Sequence, residues 1–187
     1  METQEFKEKI SKVANILKMS IEFPNDEDMK WHRWGYLRNG DRVIRISNGD
    51  YQGEHKLHIS GEFPRTIRGE YGHYGNPISI NVTTEKSPER IAGDIEKRLY
   101  PEYIPKLDEA IERVRKTNEY HRNREANIKK MADYFGIEFK PDKEPSIYVY
   151  RQIEGLGSRI EASGENTVKF ELELTPEKAI EVFNLLK

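Results

Sequence analysis

One predicted hairpin gathers Trp31, Arg33, Trp34, Tyr36, Arg38, Arg42 and Arg45. Large rings beside guanidinium groups are what a sheet uses to grip a single nucleic-acid strand. Bases stack on the rings and arginines meet the phosphates. Strand alternation divides the set: Trp34 and Tyr36 share one face, and Trp31 and Arg33 share the other. Trp31 is assigned to the core. The Trp34 face has two readings. It is a ligand-binding surface, or it is where two parts of the chain pack together, since large aromatics mostly bury.

A second group lies between residues 49 and 77. It holds His55, His58 and His73, with Lys56, Arg65, Arg68, Tyr71 and Tyr74. His58 and His73 are the candidates for a general base or a metal ligand, with Glu54, Glu62 and Glu70 nearby to complete a site. His55 and His58 are three apart on a predicted strand and so point to opposite faces, which is poor metal geometry. Tyr71-Gly72-His73-Tyr74-Gly75 reads as a mobile loop able to swing toward His58. Histidines scattered over a Gly-rich surface loop are the commoner arrangement. A third group, on a long predicted helix, alternates Arg113, Arg115, Lys116, Arg122, Arg124, Lys129 and Lys130 with Glu112, Glu119 and Glu125. Alternating signs mark a solvated helix laced with i,i+4 pairs.

No P-loop, dinucleotide fingerprint, nucleophile elbow, H-E-x-x-H or zinc-finger spacing is present. There is no cysteine, so thiol nucleophiles and Cys-ligated zinc are excluded. The expectation is a protein that is not an enzyme, with no cofactor and no bound metal. A His-dependent hydrolase or nuclease built on His58 and His73 is the third-ranked alternative. The binding residues expected are Trp34, Tyr36, Arg38, Arg45, Lys56, Arg65, Arg68, Tyr71 and Tyr74. The expected partner is nucleic acid, or a protein of a nucleic-acid-handling complex. The alternative is a protein-interaction module, such as an inhibitor of a host defence system, without nucleic-acid contact.

Composition bounds these readings. In 187 residues, 35% are hydrophobic and 34% charged, with a net charge of −2. Interspersed charge of that balance excludes a strongly basic nucleic-acid binder and a strongly acidic mimic, but allows a local patch. Met1 to Lys18 is charged throughout and has no apolar h-region. No apolar run is long enough for a membrane span. A cytoplasmic location is expected.

The elements that must position these residues are legible from periodicity. Phe6, Ile10, Val13, Ala14 and Leu17 mark an amphipathic helix. Lys30 to Arg38 and Arg42 to Ser47 form a hairpin about Asn39-Gly40, expected to be a turn with positive φ at both residues. Lys56 to Ser60 and Ile78 to Val82 are further strands. Ser87-Pro88-Glu89 starts a helix, with Ser at the N-cap and Pro at the first helical position. Pro101 should end or kink it. A long helix runs from about Pro105 to Phe135, with Gly136 at its C-terminal cap. Its middle, Thr117 to Asn127, is almost wholly polar, hence solvated or interrupted.

The chain reads as built twice. Asn127 to Phe139 echoes Lys9 to Leu17 followed by Ile21 to Phe23. From Ile21 and Ile137 onward the copies align without a gap: Trp31 on Ile147, Trp34 on Tyr150, Ile44 on Ile160, Ser47 on Ser163. Thr175-Pro176-Glu177 repeats Ser87-Pro88-Glu89. The fold class is therefore α+β: two related helix–antiparallel sheet–helix units joined by a long charged helix. Residues 1–100 form the first unit with an insertion at 49–77, residues 101–123 the connecting part of the helix, and residues 124–187 the second, shorter unit. Because copy two closes without the insertion, residues 49–77 are expected to be unnecessary to the fold and to carry function.

The run Ile91-Ala92-Gly93-Asp94-Ile95-Glu96-Lys97-Arg98-Leu99-Tyr100-Pro101-Glu102-Tyr103 resembles a segment of α+β proteins from phages and mobile elements that have no assigned activity. In those proteins too, the segment follows a β-rich half and leads into a long charged helix. The resemblance covers about Lys30 to Arg124 and not copy two. It implies a genomic setting rather than a chemistry.

Overall fold

A computed structural model describes residues 1–25, 27–30, 33–48, 55–73, 75–136, 138, 147–153, 156–162 and 167–185. The chain divides into two compact units, Met1–Lys116 and Thr117–Lys187. It is an α+β protein with an antiparallel five-stranded sheet and a long helix.

In the first unit, α1 (Thr3–Ile16) is followed by β1 (Ser20–Glu22), β2 (Trp34–Asn39), β3 (Arg42–Asn48), β4 (Lys56–Glu62) and β5 (Ser79–Thr83), which pair in sequence order. Then come α2 (Pro88–Asp94), a π turn (Ile95–Leu99) and α3 (Tyr100–Phe135). One sheet face is apolar because the strands alternate. Leu37, Ile44, Ile46, Leu57 and Ile59 are fully buried. They pack on Phe6, Ile10 and Val13 of α1, on Ile91 of α2, on Ile95 and Leu99 of the π turn, and on Tyr103 and Leu107 of α3. The result is a helical layer on one side of a sheet, the usual way for each to cover the other's apolar face. In the run from Ile91 to Tyr103, the apolar positions Ile91, Ala92, Ile95, Leu99 and Tyr103 are all core.

Several sequence expectations need correction. β2 starts at Trp34, and Asp28–Lys30 is a 3-10 turn. The hairpin loop is Gly40-Asp41, because Asn39 pairs with Arg42. Gly40 has φ +57, and among the described residues Lys18 is the sole non-glycine with positive φ. This is the type II′ pattern, with Gly at the first turn position, in place of a turn centred on Asn39-Gly40. The shift sets Leu37 opposite Ile44 rather than Arg42, so apolar pairing decides the register.

Pro101 does not end the helical path. The Tyr100 N–H reaches back to the Ile95 carbonyl, a wider π step just before the proline. Proline lacks an N–H and crowds the carbonyl four residues earlier, and a widened turn at that point relieves both demands. The helix continues unbroken to Phe135, and its polar middle contains a buried residue, His121.

The largest correction concerns residues 49–77. This stretch supplies β4, which lies between β3 and β5. Leu57 and Ile59 are fully buried, and Tyr103 packs on Gly61, where a Cβ would overlap its ring. The Tyr103 hydroxyl accepts from the Val43 N–H at 3.2 Å. The same hydroxyl oxygen lies 2.7 Å from the Glu62 carbonyl oxygen and 2.9 Å from that of Val43, either of which accepts its proton. Removing this stretch would split the sheet, so the segment is part of the first unit's framework.

The second unit contains a three-stranded antiparallel sheet of β6 (Ile147–Ile153), β7 (Leu156–Ala162) and β8 (Val168–Leu172), followed by α4 (Pro176–Leu185). Ile128 and Ala132 of α3 are buried there, with Val168 packed beside them. Its hairpin does not keep the register of the ungapped alignment. Trp34 faces Ser47, whereas Tyr150 faces Arg159 rather than Ser163.

Candidate functional site

The side of the sheet opposite the core carries a distinct set of residues, ordered in rows by the strand registers. One row runs Ser20, Arg38, Val43, Glu62. The next runs Glu22, Tyr36, Arg45, Ser60, Ser79. The third runs Trp34, Ser47, His58, Asn81. Lys56, opposite Thr83, follows. Adjacent rows are about 7 Å apart along a strand, two residues at roughly 3.3 Å each. Trp34 and Tyr36 are half-buried, while Arg38, Arg45, Lys56 and His58 are exposed.

The rings and cations on this face touch one another. The Trp34 and Tyr36 ring centroids are 5.2 Å apart at an interplanar angle of 75°. The Arg45 guanidinium carbon lies 5.6 Å from the Trp34 centroid, and that of Arg38 lies 5.2 Å from the Tyr36 centroid. Arg38 also pairs with Glu22 at 2.8 Å. No carboxylate pairs with Arg45 among the described residues, so its N–H donors are available to an incoming anion. Each such cation–ring contact contributes about 0.5–1 kcal/mol at an exposed site. That is enough to bias the guanidinium over the ring without fixing it there.

Of the expected binding residues, Trp34, Tyr36, Arg38, Arg45 and Lys56 are thus brought to one face. Arg65, Arg68 and Tyr71 are elsewhere, on a small hairpin closed by an Arg65–Tyr71 bridge. There Arg65 donates to the Tyr71 hydroxyl at 3.0 Å and lies 4.2 Å from its ring centroid. Thr66 is buried and holds the turn, its hydroxyl accepting from the Arg68 and Glu70 N–H groups. Gly72 docks the hairpin on α3: a Cβ there would sit 2.7 Å from Val114 Cγ2 and 3.2 Å from the Ala110 carbonyl. Tyr74 and Trp31 lie outside the described residues.

The two candidate catalytic histidines are not brought together. His58 Nδ1 lies 3.0 Å from Asn81 Oδ1 on the open face. His73, expected on a swinging loop, stacks on Phe63 with centroids 4.3 Å apart. Phe63 is five residues beyond His58, about 16 Å along an extended chain. Among the described residues, no group of three or more His, Asp or Glu side chains is arranged to hold a metal ion. The charges of α3 form the expected helix pairs, Arg115 with Glu112 at 2.8 Å and Lys129 with Asp133 at 2.9 Å. The Arg115 hydrogen bond holds the exposed Glu112 carboxyl down at about 2.

At the edge of the aromatic rows there is a cleft of about 400 Å³ lined by Tyr36, Arg38, Asp41, Val43, Glu62 and Phe63, among others. Asp41 and Phe63 were not singled out from sequence. Glu62 was noted only as a possible metal partner, although its alternation with Lys56, His58 and Ser60 already placed it on the open face. The Phe63 wall is backed by Tyr103, whose ring meets it edge-on at 5.4 Å. Burial pushes the Tyr103 phenol up to about 12, so it is a neutral hydrogen-bonding strut at any physiological pH.

Among the described residues no helix is long and apolar enough to cross a membrane. Comparison of the chain with protein families, with curated proteins and with solved structures finds no match.

Proposed function

We propose that the open face of the five-stranded sheet binds single-stranded nucleic acid without catalysing a reaction on it. The observation that carries this reading is the convergence of Trp34, Tyr36, Arg38, Arg45 and Lys56 on one accessible face. Sheets bind single strands by the same division of labour: stacking on aromatic rings, and cations for the phosphates. A fold needs no such group on its solvent side, where small polar residues would suffice. The resemblance of the Ile91 to Tyr103 run supports a phage or mobile-element setting, and a cytoplasmic location belongs to the same reading. The two units are proposed to be related by duplication. The common order of helix, antiparallel strands and helix supports this, with a slip at the second hairpin turn.

The test is binding of labelled single-stranded oligonucleotides to the full chain as salt is varied. Log affinity should fall linearly with log salt, because phosphate contacts release counterions. Trp34→Ala should weaken binding by about 1–3 kcal/mol, the contribution of one stacked base. Absence of binding at low salt overturns the reading.

A second reading, a protein-interaction module of the defence-inhibitor kind, is favoured by the second unit. Phe170 of β8 and Ile180 and Phe183 of α4 are exposed by 55%, 63% and 67%. Large apolar side chains left exposed mark interaction surfaces. It predicts salt-independent capture of a protein partner, lost in Phe183→Ser.

A further inference from the structure

The cleft beside Tyr36 differs in chemistry from the rest of the open face. Arg45 and Lys56 are cations of the neighbouring rows, whereas the cleft carries two carboxylates, Asp41 and Glu62, beside an Arg38 already paired with Glu22. Neither has a hydrogen-bond or ion-pair partner among the described residues. A phosphate is repelled from such a place. A flat group that donates N–H bonds is drawn into it. The cleft also offers flat surfaces, the Tyr36 ring with the Arg38 guanidinium above it, and Phe63 opposite the open end of β4. Guanidinium planes and aromatic rings both stack on bases. Its volume, about 400 Å³, falls among small-ligand sites of roughly 300–1,000 Å³.

We propose that this cleft is a base pocket that selects guanine from the bound single strand. The inference rests on the nucleic-acid reading above and sharpens it. Guanine is the base whose pairing edge offers adjacent N1–H and N2 amine donors. One carboxylate accepts both with its two oxygens, and Glu62 is placed to do so from the sheet. Asp41, on the hairpin turn, supplies further acceptor capacity at the mouth. Cytosine and adenine present an amine beside a ring acceptor, which a carboxylate repels. Thymine and uracil present a single N–H between two carbonyls. The phosphate attached to the selected base then falls toward Arg45, one row away, about 7 Å along the strand. Acidic cleft and basic row thus divide the nucleotide between them, with the base in one and the phosphate on the other.

The experiment uses the full chain and short labelled thymidine oligonucleotides with one central position changed to guanine, adenine or cytosine. Fluorescence anisotropy at low salt is expected to show the guanine-containing strand binding about tenfold tighter than the all-thymidine strand, the size of one good bidentate base contact. Glu62→Gln replaces one acceptor by a donor. It should erase that preference while leaving affinity for the all-thymidine strand equal or slightly tighter. Asp41→Asn should reduce the preference in part. Circular dichroism melts establish that both variants fold. Equal binding of all four strands by the wild type, or a guanine preference that survives Glu62→Gln, overturns the pocket and leaves the single-strand reading in place. Failure to bind any strand overturns both. Binding of an arginine-containing peptide at the cleft, with no binding of any strand, would assign it to a protein partner and also overturn the inference.

Discussion

Replacing Tyr103 by phenylalanine removes one oxygen from the centre of the first unit and leaves its packing in place. That oxygen accepts the Val43 N–H at 3.2 Å and shares its proton with carbonyls at 2.7 and 2.9 Å. Without it, a part-buried donor on β3 and a part-buried acceptor on β4 lose their partner. Such a loss costs about 1–3 kcal/mol, and about 2 kcal/mol is expected here because the Tyr103 side chain is fully buried while Val43 and Glu62 are half-buried. The alkaline range gives a second, independent signature. Burial raises the phenol from 10.0 to about 12. The unfolded chain releases this proton near the ordinary value while the folded chain still holds it. The unfolded state therefore binds fewer protons across that interval, and stability falls as pH rises through it, by at most about 2–3 kcal/mol. Tyr103→Phe has no proton to release at this position, so its stability deficit should narrow as pH climbs from about 10 toward about 12. Both tryptophans, Trp31 and Trp34, belong to the first unit, so urea unfolding followed by tryptophan fluorescence reports on that unit. A variant as stable as the wild type at neutral pH would refute the hydrogen-bond argument. A deficit that stays constant through the alkaline range would refute the burial argument.

Further predictions follow from the same packing. Gly61→Ala sets a methyl group against the Tyr103 ring and should destabilise the first unit by about 1–3 kcal/mol, read as a lowered urea midpoint. Gly72→Ala, with its Cβ 2.7 Å from Val114 Cγ2, should lift the small hairpin off α3. Tryptic cleavage at Arg65 and Arg68 should then accelerate, with little change in the urea midpoint. Asp94 accepts from Lys86, and that hydrogen bond lowers its carboxyl below the ordinary value. Its stabilising effect is present above the unfolded-state value and is lost as pH falls through the folded one. Asp94→Asn should therefore flatten the acid end of the stability profile measured by thermal melts.

The face assignments were legible because alternation is a local property. Leu37, Ile44, Ile46, Leu57 and Ile59 separate from Trp34, Tyr36, Arg45, Lys56 and His58 on period alone. The role of residues 49–77 was not legible. Alternation marked Lys56 to Ser60 as a strand, but its place between β3 and β5 rests on long-range pairing and on Tyr103, more than forty residues away. Comparison with a shorter second half pointed the wrong way, because a three-stranded sheet closes without that strand and a five-stranded one does not. The Gly40-Asp41 turn was missed by one residue, since turn chemistry favoured Asn39-Gly40 and the Leu37–Ile44 pairing outweighed it. The cleft was hidden for a similar reason. Glu62 and Phe63 are remote in sequence from Tyr36 and Asp41, and only the β2–β3–β4 register brings them together.

The central claim is that Trp34 and Tyr36 form the contact surface for a single strand. Ultraviolet crosslinking of a bound oligonucleotide to the full chain, with the modified residues located by mass spectrometry, tests it most directly. Crosslinks at Trp34 or Tyr36 on β2 are predicted, diminished by salt and by Arg45→Ala. Crosslinks confined to the Arg65–Tyr71 hairpin or to residues 117–187, or none at all, would contradict the account.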